Sequence, residues 1–378
     1  MRVLIHSAPP WAPSGYGLQA RFLARALKTL GHKVAVSAFG GVHEEGDWKG
    51  IPILPCGTRP YGNGVIAGNY AKWRADLLIL LGDLWVMDPG QFQGLNFMPW
   101  LPIDCDPLSV MDKDRLDALK GPALHPVAMS EFGQDVLERA GHIAPILPHC
   151  TTFRPSADIG MAWRREQKIQ DKLFLVSKVG VNNTDDRKAF GATLQAFAEF
   201  ARGKDDVGLY LHTEPQAPKA PNLAYMALDL GLASKNGSKV VFAAEHRRAT
   251  DGYDQRWMHG LYCGTSVLDS VTKAEGFCCP AIDALACGTP VIGGRNSALP
   301  EKMADEWGWI VGGQGEWAPH HHSWWQTPSV DALARTYEDA YRRASSMRAA
   351  AAEAGRLWSP EIMQKRLREI LEHSQLKA

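Results

Sequence analysis

The chain has 378 residues, too many for one ordinary core and enough for two α/β domains of comparable size. Hydrophobic residues make up 45% and charged residues 22%, the balance of a folded globular chain. Lys plus Arg equals Asp plus Glu at 41 each, so no net field gathers polyanions and general nucleic-acid affinity is not expected, a local basic groove apart.

Residues 2–6 read as an apolar strand, followed by a Pro/Gly loop over 8–17. An amphipathic helix follows over 18–30, with Leu18, Phe22, Leu23, Ala26, Leu27 and Leu30 on one stripe. Gly31 ends it. Further strands fall at 33–39, 76–81, 96–102 and 126–129. Ser130 caps a helix over 131–140 that Gly141 closes. Such alternation predicts a parallel sheet covered on both faces. Residues 151–170 mix Thr, Pro, Asp, Gly and charge, hold no convincing strand, and are read as an interdomain linker.

A second alternating unit opens with a strand at 173–179, a loop at 180–187 and a helix over 188–202. Phe190, Leu194, Phe197 and Ala201 form the stripe of that helix. Strands at 207–212, 239–242, 266–269 and 290–293 and a short helix at 280–287 continue the unit. The tail from 329 is helical, with a break at Trp358-Ser359-Pro360. The expected domains are 1–155 and 171–357, with the terminal helix 359–378 returning to the first.

No run reaches the ~18 apolar residues of a membrane span. Residues 1–8 read as a strand and not as a signal peptide. The seven cysteines are irregularly spaced and form no facing C-x2-C pairs. No metal site is expected from them, and reduced thiols in a cytoplasmic protein are the simplest reading.

The most informative stretch is Glu275-Gly-Phe-Cys-Cys-Pro-Ala-Ile-Asp283-Ala-Leu-Ala-Cys-Gly-Thr-Pro-Val-Ile292. Gly276 allows a tight turn, and Pro280 suits the first position of a helix. That helix then aims its free N–H groups back at the Glu275 loop and makes a site for anions or hydroxyls. Glu275 on the loop and Asp283, read as lying in the first turn, supply carboxylates that accept bonds from sugar or ribose hydroxyls.

The stretch resembles the donor-site signature of retaining GT-B glycosyltransferases of family four, E-G-F-G-x-P-x-x-E-A-x-A-x-G-x-P-V. The resemblance implies a GT-B fold: two Rossmann-like α/β domains with parallel sheets facing across a cleft. It also implies that Glu275 contacts the transferred sugar, that Asp283 holds the ribose, and that Gly276, Phe277, Cys278 and Cys279 line the donor. Two departures stand out: Asp283 replaces a Glu, and Cys278 replaces a Gly.

Three other elements join this one. Gly15, Tyr16 and Gly17 precede the first helix, where the family has a Gly-rich loop against the donor diphosphate. Val179-Gly-Val-Asn182 to Arg187-Lys188 corresponds to a family segment whose Arg and Lys neutralise the diphosphate. Lys188 matches the Lys, Val181 stands at the Arg position, and Arg187 is the available substitute. Pro102 to Ser109 brings Asp104 and Asp106, one of which is read as orienting the acceptor hydroxyl or the sugar. Glu245 and His246 occupy a loop where the nucleotide base commonly binds.

The W-A-x-S-G-Y-G and D-x-D-P-L-S segments are similar to glycosyltransferases encoded by bacteriophages of actinobacteria. The resemblance implies metal-independent transfer, with retention, from a UDP- or GDP-linked sugar and no cofactor. The expected acceptor is a hydroxyl of a glycan or a protein, with a hydroxymethylated base in phage DNA as the alternative. The rival readings are a nucleotide-sugar epimerase and a catalytically degenerate nucleotide-sugar-binding subunit.

Overall fold

A computed structural model describes residues 1–234, 237–245 and 252–373. The chain divides into two compact units. The first comprises Met1–Cys150, Ala318–Ser323 and the chain from Trp358 onward; the second comprises Thr151–Trp317 and Trp324–Leu357.

The first unit is built on β1 (Arg2–Ser7), β2 (Lys33–Ala38), β3 (Gly46–Asp47), β4 (Pro52–Leu54), β5 (Leu77–Leu81), β6 (Phe97–Leu101) and β7 (Val127–Ala128), in the order β3-β4-β2-β1-β5-β6-β7. Only the short β3–β4 pair is antiparallel. The apolar run of β5 is buried throughout, as a central strand covered on both faces requires. Leu4, Leu78, Leu80, Phe97 and Leu116 belong to one core. The sheet also hides His6, which bonds Ser37 Oγ at 3.0 Å and the Tyr61 carbonyl at 2.9 Å. Burial pushes that imidazole down to about 4, so it is neutral at physiological pH.

The first helix is Gly15–Thr29 and begins earlier than its apolar stripe indicates. The Ser14 hydroxyl accepts from the Gly17 N–H and caps it, drawing Gly15, Tyr16 and Gly17 into the first turn. The helix Pro360–His373 packs in this unit, where the Met363 sulfur lies 3.6 Å from the Cys150 thiol.

The second unit carries β8 (Phe174–Val179), β9 (Val207–His212), the short pair β10 (Ala233–Ser234) and β11 (Gly237–Ser238), β12 (Val240–Phe242), β13 (Val267–Ser270), β14 (Val291–Gly294) and β15 (Gly308–Val311). Its main sheet runs β12-β9-β8-β13-β14-β15 and is parallel throughout. A further pair, β16 (Gly313–Ala318) and β17 (Ser323–Pro328), has no counterpart in the sequence reading. Its Trp-rich, Gly-interrupted strands alternate too weakly to be legible.

Inside this unit the Lys178 ammonium lies 3.2 Å from Asp269 Oδ1, with both side chains almost wholly buried. The Thr193 and Tyr337 hydroxyls each donate to Asp269 Oδ2 at 2.7 Å, and the Val271 carbonyl accepts from Lys178 at 2.5 Å. A buried ion pair is tolerable when its remaining hydrogen-bonding capacity is met in this way.

Two local readings change. The stretch 151–170 contains the helix Ala157–Glu166, whose Trp163 is buried against Trp257 and Tyr210. The helix expected over 188–202 is Phe190–Phe200, so Arg187 and Lys188 precede it. The cause is Asp186, whose carboxylate accepts from the N–H groups of Phe190 at 2.8 Å and Gly191 at 3.2 Å.

Candidate functional site

In the second unit the expected residues gather in the loops that follow β8 and β13. Glu275 lies between β13 and the helix Cys279–Ala286 and is 5% exposed. Its backbone is pinned on both sides: the Ser297 hydroxyl accepts from its N–H at 2.8 Å, and its carbonyl accepts from the Ala298 N–H at 3.2 Å. Its side chain forms an ion pair with Lys188.

Lys188 reaches this position across Gly180. A Cβ on Gly180 would lie 3.1 Å from the Lys188 side chain, so the glycine keeps the lysine stem close to the loop. Arg187 donates to the Ala274 carbonyl at 2.7 Å and accepts from the Lys273 N–H at 2.8 Å. Burial drives the Glu275 carboxyl up, but Lys188, Arg187 and Lys178 outweigh it and hold the group below the ordinary carboxylate range. Glu275 is therefore ionised at neutral pH.

The helix Cys279–Ala286 starts without a side-chain cap, with Pro280 in its first turn. Cys278 precedes it in a left-handed conformation, φ 72° and ψ 71°. That geometry favours glycine and explains why a Gly-rich pattern occupies this position in the motif the sequence resembles. The thiol is buried, and burial together with Glu275 pushes it up to about 11. Phe277 is also buried, with the Lys302 ammonium 4.2 Å from its ring centroid.

Asp283 lies one turn further along than expected, as the fifth residue of the helix and not in its first turn. The helix begins at Cys279, after the left-handed Cys278. Asp283 is 7% exposed. Burial pushes its carboxyl up to about 7, against the lowering influence of the Thr151 hydroxyl and His259. Asn182 ties two loops together: its N–H donates to Thr213 Oγ1 at 3.0 Å, and its amide donates to the carbonyls of Glu214 and Pro221. Its Oδ1 is buried without a hydrogen-bond partner among the described residues. Glu245 is exposed beyond β12, and His246 lies outside the described residues.

The first unit holds the other expected group. A Cβ on Gly17 would meet the Ala12 carbonyl at 2.6 Å, whereas one on Gly15 would meet nothing within 4 Å. Gly17 is thus required by packing against the 9–12 loop, and Gly15 faces open space. The Tyr16 hydroxyl donates to Asp83 at 3.1 Å.

Asp106 and Asp104 separate. Arg139 forks onto both oxygens of Asp106 at 2.9 and 3.0 Å. Asp104 instead joins Asp83 in acting on Asp112, whose carboxyl is pushed up to about 7 by burial and by these two charges. Asp112, Asp186 and the Lys178–Asp269 pair were not anticipated as site or support residues. The lysine inside an otherwise apolar strand at 174–179 was the one signal available for the last of these.

No profile of a known protein family matches the chain. The MMP alpha-(1->4)-mannosyltransferase of Mycolicibacterium hassiacum is 27% identical over 179 residues, which are 47% of this chain and 34% of that protein. The chain thus matches about a third of that relative's length. Sucrose-phosphate synthase from Thermosynechococcus elongatus superposes with a TM-score of 0.75 at 17% identity, covering 98% of both chains. Anabaena HepE in complex with UDP-glucose superposes with a TM-score of 0.71 at 14% identity, covering 98% of this chain and 99% of that one. No helix among the described residues is long and apolar enough to cross a membrane. Over nearly its whole length, the chain has the fold of the GT-B glycosyltransferases, two α/β units each built on a mainly parallel sheet.

Proposed function

We propose that this chain is a glycosyltransferase that moves a sugar from a nucleoside diphosphate sugar to an acceptor hydroxyl, with retention and without a metal in the transfer step. The observation that carries the reading is the Lys188–Glu275 pair, with Arg187 beside it, at the uncapped start of the helix Cys279–Ala286. Fixed cations suit a diphosphate, and a buried ionised carboxylate suits sugar hydroxyls.

In the reaction the bond from the anomeric carbon to the diphosphate oxygen breaks. The bond to the acceptor oxygen forms on the same face. The acceptor proton passes to the departing phosphate oxygen. Lys188 and Arg187 stabilise the charge that develops on the leaving group. Glu275 orients the transferred sugar, and Asp283 holds the ribose.

We assign acceptor binding to the first unit and within it to Asp104, which acts with Asp83 on the buried Asp112 carboxyl, whereas Asp106 pairs with Arg139 in an exposed position. UDP is the favoured nucleotide, since HepE was captured with UDP-glucose. The reading assigns the enzyme to the cytoplasm, where its irregularly spaced cysteines stay reduced.

A second reading, binding without turnover, is favoured by Cys278 in its left-handed position and by the engagement of Arg187 on a backbone carbonyl. Thermal shift with UDP and GDP tests donor binding. Stabilisation by one of them that Lys188→Ala weakens supports both readings; no stabilisation by either contradicts both. Glycan, protein and hydroxymethylated-DNA acceptors then separate turnover from binding alone.

A further inference from the structure

A second cluster of reactive side chains lies in the second unit and takes no part in the proposed transfer. His259 and Cys263 stand at i and i+4 of the helix Gln255–Gly264, so their side chains leave the same face. Cys287 is the C-cap of the helix Cys279–Ala286. One ligand atom from each of the three lies within 4.8 Å of the other two. Both cysteines are buried and His259 is half-buried.

The histidine is already held as a metal ligand would be. Its Nε2 lies 2.6 Å from the Arg154 carbonyl. A carbonyl only accepts, so Nε2 carries a proton, and in the neutral ring Nδ1 keeps its lone pair. Metal-bound histidines characteristically donate their other N–H to such an acceptor, which fixes the ring. Phe153 stacks on the same ring, centroids 5.0 Å apart and planes within 3°, and holds its orientation from the face.

The surroundings favour a cation bound by thiolates. Cys263 and Cys287 sit at the C-terminal ends of two helices, where backbone carbonyls carry partial negative charge. Arg348 donates to the carbonyls of Cys263 at 3.2 Å and Thr265 at 3.0 Å, and so brings a counter-charge for the thiolates.

We propose that His259 Nδ1, Cys263 Sγ and Cys287 Sγ bind a zinc ion that joins the end of the helix Gln255–Gly264 to the end of the helix Cys279–Ala286. Two thiolates and one imidazole match zinc's preference for sulfur and nitrogen, and a water completes the tetrahedron. Zinc–sulfur bonds of about 2.3 Å and zinc–nitrogen bonds of about 2.0–2.1 Å place neighbouring ligand atoms roughly 3.5–3.8 Å apart. The cluster reaches that spacing by side-chain adjustment. The sequence hides the site because Cys287 lies far along the chain from the His259/Cys263 pair and no C-x2-C spacing marks it. The ion fixes the helix that carries Asp283, and it takes no part in the transfer.

The test uses the full-length reduced protein, loaded with zinc, desalted and analysed for metal by mass spectrometry. The expected result is one zinc per chain, lost in Cys263→Ser and in Cys287→Ser and kept in Cys56→Ser. Should either serine variant fail to fold, cobalt titration of the unsubstituted chain decides. Thiolate-to-cobalt charge transfer with tetrahedral d–d bands supports the site, and an octahedral spectrum without sulfur bands overturns it. No zinc retained by the reduced chain also overturns it, as does undiminished zinc in the folded serine variants. Isolation of a Cys263–Cys287 disulfide with no zinc uptake after reduction has the same effect. None of these results depends on sugar transfer.

Discussion

The Lys188 ammonium is paired with the Glu275 carboxylate, although 87 residues separate them in the chain. The pair joins the loop after β8 to the loop after β13 and leaves Glu275 ionised in a buried setting.

Lys188→Met removes the cation and leaves a buried carboxylate. Breaking such a pair costs about 3 kcal/mol, the low end of the range because Arg187 and Lys178 also act on Glu275. Turnover falls about 10²–10³-fold if Lys188 stabilises the leaving group. The double variant Lys188→Met/Glu275→Gln regains most of the stability and none of the activity. Chemical denaturation and steady-state kinetics on the three proteins check this. Recovery of activity in the double variant would exclude both residues from the chemistry.

Asp283 gives a pH dependence of known sign. Its folded pKa, about 7, lies above the ordinary 3.8. Between those values the folded state holds a proton that the unfolded state has lost, so this group's contribution to stability declines as pH rises from about 4 to about 7. Asp283→Asn therefore stabilises the protein most above pH 7 and least in acid. If the carboxylate holds the ribose, donor affinity weakens below pH 7 in the parent chain and loses that dependence in the variant. Melting curves and donor titrations at pH 5 and 8 separate the two effects.

Cys278 tests the left-handed turn. Cys278→Gly removes a conformational cost of about 1–2 kcal/mol and adds a similar loss in chain entropy and packing, so it is close to neutral. Cys278→Val puts a β-branched residue at φ 72° and destabilises by about 2 kcal/mol. Equal melting temperatures for the two variants would contradict the assigned backbone conformation.

Two pairs in the first unit separate packing from ligand contact. Gly17→Ala forces a Cβ to 2.6 Å from the Ala12 carbonyl and lowers the melting temperature, whereas Gly15→Ala does not. Any loss of donor affinity in Gly15→Ala is then a ligand effect. Asp106→Asn gives up an exposed pair with Arg139, costs less than about 1 kcal/mol and spares turnover. Asp104→Asn lowers acceptor-dependent turnover while donor affinity holds. The reverse pattern would exchange the roles of the two aspartates.

Much of the architecture was legible because buried parallel strands such as 77–81 read as unbroken apolar runs and helices such as 131–139 carry a serine cap and an apolar stripe. The 275–292 motif was legible because turn, helix start and strand start each demand particular residues. What escaped depends on local backbone geometry or on a contact distant in sequence. The helix register at Lys188 turns on Asp186 reaching forward to the N–H groups of Phe190 and Gly191. The position of Asp283 turns on a left-handed Cys278, a conformation that residue type alone does not announce. The engagement of Asp106 requires Arg139, 33 residues away.

The most direct test measures nucleoside diphosphate release from a panel of UDP-, GDP- and ADP-sugars with the parent chain and Glu275→Ala, beside melting curves for both. The account predicts release from at least one donor by the parent chain and none by Glu275→Ala, with the variant still folded. Release at the parental rate by Glu275→Ala would contradict the central claim that this buried carboxylate orients the transferred sugar.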